Sequence, residues 1–243
     1  MILLRLSGHS CAGKTRLINA LPQYGISCPK VLRYTSRQPR REEIHGHDYY
    51  FMSRAFIESL PEKDFLVGPV RNMLQAFDLK QLEIDLKMYD LVLIEIYPDL
   101  WPKLLACMAE RLGEQLTTAS VFMTAVDPVY LKKLPDEKAQ SDYISHEVEK
   151  FLILRNKDEA KDIQIRSQYA AREILQAISP EGEKMYSRIL HSAPEGPDGK
   201  DDWTREGLPV GQAKAVLEEF IAFYNTLAGH KTRFNSGDTI LNS

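Results

Sequence analysis

Eight residues near the N-terminus restrict this chain more than any other stretch. Gly8-His9-Ser10-Cys11-Ala12-Gly13-Lys14-Thr15 has the form G-x-x-x-x-G-K-[ST]. It lies between a short apolar run, Ile2 to Leu6, and a segment with helical spacing, Lys14 to Leu21, which stops at Pro22. Strand, tight loop and helix is the context in which this pattern closes around phosphate. Gly8 and Gly13 allow positive φ and close backbone approach. The helix start presents its positive dipole end to the same anion. Lys14 supplies a full charge toward the β and γ phosphates of a bound nucleotide, and the Thr15 hydroxyl can ligate Mg²⁺. His9, Ser10, Cys11 and Ala12 fill the variable positions of an expected ATP-binding loop.

The remaining pattern suits a parallel α/β fold. Strands are expected at Val31 to Tyr34, Asp48 to Met52, Leu91 to Ile96, Ser120 to Val126 and Ser187 to Leu190. Helices are expected at Arg54 to Leu60, Leu79 to Met88, Leu100 to Leu112, Ser145 to Leu154, Ala160 to Ile178 and Gly211 to Leu227. Strands separated by helices in this rhythm predict a parallel sheet covered on both faces.

The chain has 243 residues, enough for one large domain or one domain with inserted subdomains. Lys and Arg number 31 against 34 Asp and Glu, a net charge of -3. That balance argues against a general nucleic-acid or membrane-surface binder while leaving room for a local basic site. No run approaches the roughly 20 apolar residues of a spanning helix, and Met1 to Gly8 does not read as a secretion signal. Cys11, Cys28 and Cys107 form no CxxC pair, which suits unpaired thiols in a reducing cytoplasm.

A second anion site is expected in the segment from Thr35 to Phe51. Arg37, Arg40 and Arg41 crowd around Pro39, and guanidinium forks grip phosphate in a bidentate way. The Tyr49 hydroxyl can donate to the same anion. Alone, such a loop could equally be a solvated turn with Glu42 and Glu43 as acidic neighbours.

Together the two segments make the sequence resemble the guanylate kinase family. That family carries, about twenty residues after its phosphate loop, a segment of the form T-T-R-x-P-R-x-x-E-x-x-G-x-D-Y-x-F. It is matched here at Thr35, Arg37, Pro39, Arg40, Glu43, Gly46, Asp48, Tyr49 and Phe51. The resemblance extends more weakly across residues 1 to 225. It implies a three-layer α/β/α fold of the P-loop NTPase type with a parallel core sheet, an inserted acceptor-binding subdomain and a helical lid. The implied division is a core of 1–30, 89–150 and 167–229, an acceptor subdomain at 31–88 and a lid at 151–166. A polar tail occupies 230–243. Implied too are ATP and Mg²⁺ as cofactors and a nucleoside monophosphate whose phosphate rests on Arg37, Arg40 and Tyr49. Where the family has a serine touching that phosphate, this chain has Arg33, whose charge either strengthens anion binding or reaches another group.

Elsewhere the family pattern breaks. Its guanine reader, a Phe-x-Glu element, is Phe65-Leu66-Val67 here, and its Tyr-Gly pair is absent. A buried donor left without an acceptor costs roughly 1–3 kcal/mol, so most guanine preference is expected to vanish. Arg71, Asn72, Gln75 and Asp78 are the polar candidates for a different base code, unless they are only an exposed loop and helix start. Near the metal, the family's Asp-x-Asp is replaced by Glu95, flanked by Asp90 and Asp99. Thr15 and Glu95 are the expected Mg²⁺ contacts. Arg155 and Arg166 have the spacing of the family's lid arginines, with Arg172 one further candidate. Along with Lys14 they are expected to neutralise charge on the transferring phosphoryl group.

Three functions follow as expectations. The first is ATP-dependent phosphoryl transfer to a nucleoside monophosphate, GMP, dGMP or one with another base. The others are a kinase for a phosphorylated sugar or modified nucleotide, and a non-catalytic phosphopeptide-binding module. Nucleotides are the expected partners, with no nucleic acid and no membrane, and a homo-oligomer is left open.

Overall fold

The computed structural model describes residues 1–70, 72–155, 160–192, 202–203 and 208–229. Arg71, the Arg155 side chain, residues 193–201 and 204–207 of the expected surface loop, and the tail 230–243 lie outside the described residues.

In chain order the elements are β1 (Ile2–Gly8), α1 (Lys14–Ala20), β2 (Tyr34–Thr35), β3 (Tyr50–Phe51), α2 (Arg54–Glu58), β4 (Phe65–Val70), β5 (Met73–Asp78) and α3 (Leu79–Met88). They continue with β6 (Leu91–Ile94), α4 (Trp101–Leu112), β7 (Thr117–Thr124), α5 (Pro128–Leu131), α6 (Glu137–Arg155), α7 (Ala160–Ile178), α8 (Pro180–Met185), β8 (Arg188–His191) and α9 (Gly211–Leu227). A four-stranded parallel sheet runs in the order β6-β1-β7-β8. On one face it packs α1 and α9, whose Leu17, Val216, Leu217 and Phe220 meet Leu4, Leu6 and Val121. The other face meets α3 and α4 through Leu3, Val92, Leu82 and Leu104, and α6 and α7 through Phe122, Val148 and Ile174. This is a three-layer α/β/α arrangement around a parallel sheet, with near-continuous apolar strands because both faces are covered.

A second sheet, ordered β3-β2-β5-β4, is joined to the first through α3 and a shared apolar cluster that includes Val70, Phe77, Ile96 and Leu100. The expected strand at Val31 to Tyr34 is shorter and later, and the one at Asp48 to Met52 is confined to Tyr50–Phe51. The β4–β5 hairpin was not expected at all. Gly68 in β4 has a specific reason: a Cβ there would lie 2.1 Å from Leu100 Cδ2. Leu100, at the start of α4's approach, therefore seats directly on the β4 backbone.

One buried group on β1 is anomalous. Arg5 is fully buried, with its guanidinium 4.6 Å from the Tyr186 ring centre and 5.7 Å from that of Trp101. Its Nε and Nη2 make no hydrogen bond. Burial lowers its pKa, opposed by Tyr186. Unsatisfied buried donors cost about 1–3 kcal/mol, partly offset by the ring contacts. We therefore expect Arg5→Met, of similar reach, to hold or raise the urea unfolding midpoint. A loss of more than about 1 kcal/mol in that titration would contradict this account.

Candidate functional site

The phosphate loop is built at the C-terminal end of β1. Gly8 has φ 144° and Gly13 has φ 80°, as the sequence pattern requires. Gly8 also needs its missing side chain for space, since a Cβ would lie 2.2 Å from the Met123 carbonyl oxygen on β7. Cys11 adopts φ 68° without being glycine. Lys14 Nζ donates to the Gly8 carbonyl at 2.6 Å and to that of His9 at 3.0 Å, folding over its own loop.

Two side chains fasten this loop from behind. His9 is 1% exposed. Its Nε2 accepts from the Ala125 N–H at 3.0 Å and its Nδ1 faces the Ser10 carbonyl at 2.6 Å. A backbone N–H can only donate, so Nε2 is bare and Nδ1 carries the proton. Burial, reinforced by Lys14, pushes its pKa down to about 3. Ser192 Oγ donates to the Ala12 carbonyl at 2.5 Å while its N–H pairs with Thr124. His9 was expected among the ATP-binding loop positions; its ring is buried behind the loop as a brace and does not line the cleft. Ser192 was not anticipated.

The basic segment folds around one carboxylate. Glu43 takes a two-pronged bond from Arg37, at 2.5 and 2.7 Å, and a third from the Arg40 N–H at 2.7 Å. Burial works against its charge, but these donors outweigh it and hold its pKa below the usual range. Arg37 lies over the rings of Tyr49 and Phe51, at 4.8 and 5.3 Å. Glu43 thus positions the arginines, a role that sequence reading gave only as an acidic neighbour.

Arg33 reaches a different group, the second of the two expected outcomes. Its Nη2 donates to the Tyr49 hydroxyl at 2.9 Å and meets Glu95 Oε2 at 3.2 Å, and its Nη1 bonds the Glu95 backbone carbonyl. Glu95 itself falls just beyond β6, which ends at Ile94, instead of on the strand as expected.

The glycine loop and the basic segment line one cleft of about 510 Å³. Gly8, Ser10, Cys11, Ala12, Gly13, Lys14 and Thr15 form one wall. Arg33, Arg37, Arg40, Tyr49 and Gln75 stand on another, with Glu95, Asp99 and the α7 residue Arg166 also facing in. Glu173, Gln176 and Tyr186 join them without having been singled out from the sequence. Three expected residues fall elsewhere. Asn72 is exposed at the β4–β5 turn and does not line the cleft. Asp78 is occupied as the N-cap of α3, accepting from the Lys80 and Gln81 N–H groups at 3.0 and 2.9 Å. Arg172 lies 5.8 Å from the Tyr169 ring in a separate hollow. Arg155 closes α6, and its side chain lies outside the described residues.

The glycine loop and the arginine segment thus face one cleft. Residues 1–69 match the guanylate kinase family model. The guanylate kinase of Nitrosospira multiformis is 50% identical over 62 residues, which cover 25% of this chain and 30% of that protein. That of Chlamydia felis is 39% identical over 85 residues, covering 34% and 41%. This chain therefore spans well under half the length of these curated relatives. Among solved structures, the crystal structure of guanylate kinase from Anaplasma phagocytophilum aligns with a TM-score of 0.47 and 15% identity, over 93% of this chain and 85% of that one. The matched family segment contains the phosphate loop and Arg33 to Tyr49, and it ends before Gln75, Glu95 and Arg166. No helix among the described residues is long and apolar enough to cross a membrane, and all three cysteines are free thiols.

The His9 brace has a pH signature. Folded His9 stays neutral down to about pH 3, while an unfolded histidine takes up a proton near pH 6.5. The unfolded state therefore binds more protons between these values, and stability falls as pH falls. The slope from this group is about 1.4 kcal/mol per pH unit, with no effect above pH 7. Urea titrations at pH 4 to 7 check this. His9→Gln, which can still accept from Ala125, is expected to flatten the slope by about one proton.

Proposed function

We propose that this chain is an ATP-dependent nucleoside monophosphate kinase of guanylate-kinase type. The observation that carries the reading is that the phosphate loop and the Arg37–Arg40 segment line the same cleft. The segment similarity of residues 1–69 to guanylate kinases supports it.

In this reading ATP rests on residues 8–15 of a core made of 1–30, 89–150 and 167–229. The acceptor phosphate rests on Arg37, Arg40 and Tyr49 of the 31–88 subdomain. An acceptor phosphate oxygen attacks the γ-phosphorus in line, and the bond to ADP breaks as its β-phosphate oxygen leaves with the electron pair. The attacking oxygen is already anionic, so no general base is needed. Catalysis is positioning plus electrostatics. Lys14, Arg166 and Arg155 of the 151–166 lid neutralise the charge spreading over the transferring group.

Magnesium fits the residues present. The cleft holds the Thr15 hydroxyl with the carboxylates of Glu95 and Asp99, hard oxygen donors of the kind Mg²⁺ takes alongside phosphate and water. Bound there, the ion would neutralise phosphate charge. The substrates are nucleotides, a cytoplasmic setting goes with ATP as donor, and neither nucleic acid nor membrane is a partner.

Arg37 bears on acceptor binding differently from Lys14. To accept phosphate its guanidinium must exchange Glu43 for the ligand, or grip both. We expect Lys14→Ala to lower ADP formation from ATP and GMP by at least about 100-fold. Arg37→Gln should mainly raise the acceptor KM. Full turnover by Lys14→Ala in a coupled ADP assay would defeat the proposal.

A further inference from the structure

Among the described residues on the Arg37 side of the cleft, Gln75 is a polar side chain with no protein partner. Gln75 is central in the second sheet, between β2 and β4, with its backbone registered against Thr35 and Gly68. It shares a strand face with Met73, and both line the cleft. The residue is only 8% exposed, yet its amide makes no hydrogen bond with any described residue. Its amide is not sealed from the cleft, so a ligand or water entering there can complete its hydrogen bonds.

Three of the carboxylates that line the cleft are already paired with neighbouring protein groups. Glu43 holds Arg37 and the Arg40 N–H. Glu95 is paired with Arg33. Asp48 accepts from the Ile44 N–H at 2.9 Å and meets Lys30. On the strand that carries Met73, the polar group facing the cleft is the Gln75 carboxamide.

From this geometry we infer that Gln75 reads the acceptor base, and that it does so without selecting guanine. The inference rests on the kinase reading above and names its substrate range. A carboxylate offers two acceptors and so rewards guanine, whose N1–H and 2-amino group are adjacent donors. A carboxamide offers one donor and one acceptor. That pair matches the O6 and N1–H of guanine and of hypoxanthine equally, and leaves the 2-amino group unread. Turned over, it matches the adjacent donor and acceptor of adenine as well. Nucleoside 5′-monophosphates as a class are thus the acceptors, with GMP and IMP handled alike.

The test compares kcat/KM for GMP, IMP and AMP with ATP, and Kd for the same three by calorimetry. Expected values for GMP and IMP lie within about 5-fold of each other. Gln75→Glu should raise the GMP to IMP ratio at least about 10-fold, and Gln75→Leu should weaken all three through KM, with circular dichroism verifying the fold. A wild-type GMP preference above about 100-fold, or a ratio unmoved by Gln75→Glu in a folded variant, overturns the inference while leaving a kinase. Equal binding of GMP and IMP without phosphoryl transfer would instead sink the kinase reading and keep Gln75 as base reader. No binding of any of the three overturns both.

Discussion

Cations crowded into one cleft repel one another unless anions stand among them, and this requirement organises the molecule. Lys14, Arg33, Arg37, Arg40 and Arg166 line a single cavity. Two carboxylates make that assembly affordable in the folded chain. Glu43 sits between Arg37 and Arg40, and Glu95 answers Arg33. Lys14 turns to backbone carbonyls instead. In the proposed reading, a phosphate entering the cleft would meet preformed guanidinium geometry and would have to share or displace an internal partner. Affinity for an anion is set by that difference rather than by the number of positive charges.

The same logic explains which parts of the site sequence could reveal. Lys14, Arg37, Arg40 and Tyr49 sit in local patterns whose spacing already implies an anion, and all four line the cleft. Arg33 was visible as a departure, and its contact with Glu95 answers what that departure does. The roles of His9, Ser192 and Tyr186 were not legible. Their partners Ala125, Ala12 and Arg5 lie 116, 180 and 181 (186 − 5) residues away along the chain, so no local pattern encodes them. Asp78 had the look of a recognition group because a short polar side chain before a helix serves equally well as a cap.

Fold expectations divided along similar lines. The helices at Leu79–Met88, Ala160–Ile178 and Gly211–Leu227 match the structure at both ends, because periodicity and flanking residues agree there. Helix α6 starts at Glu137, eight residues before the expected Ser145, since its first turns are polar and carry little apolar rhythm. The β4–β5 hairpin escaped notice because Gly68 and Pro69 both speak against a strand. Their presence is consistent with β4 lying at a sheet edge, where a missing N–H and a missing side chain are tolerated.

Gly68 bears on more than strand propensity. Leu100 occupies the space where any other residue would place its first carbon, and it belongs to the segment between Glu95 and α4. The second sheet rests on the first there, with the Leu100 side chain filling the space that a first carbon at 68 would take. A larger residue at 68 would have to push the Leu100 side chain aside, straining the joint between the two sheets while leaving every charged group of the cleft intact.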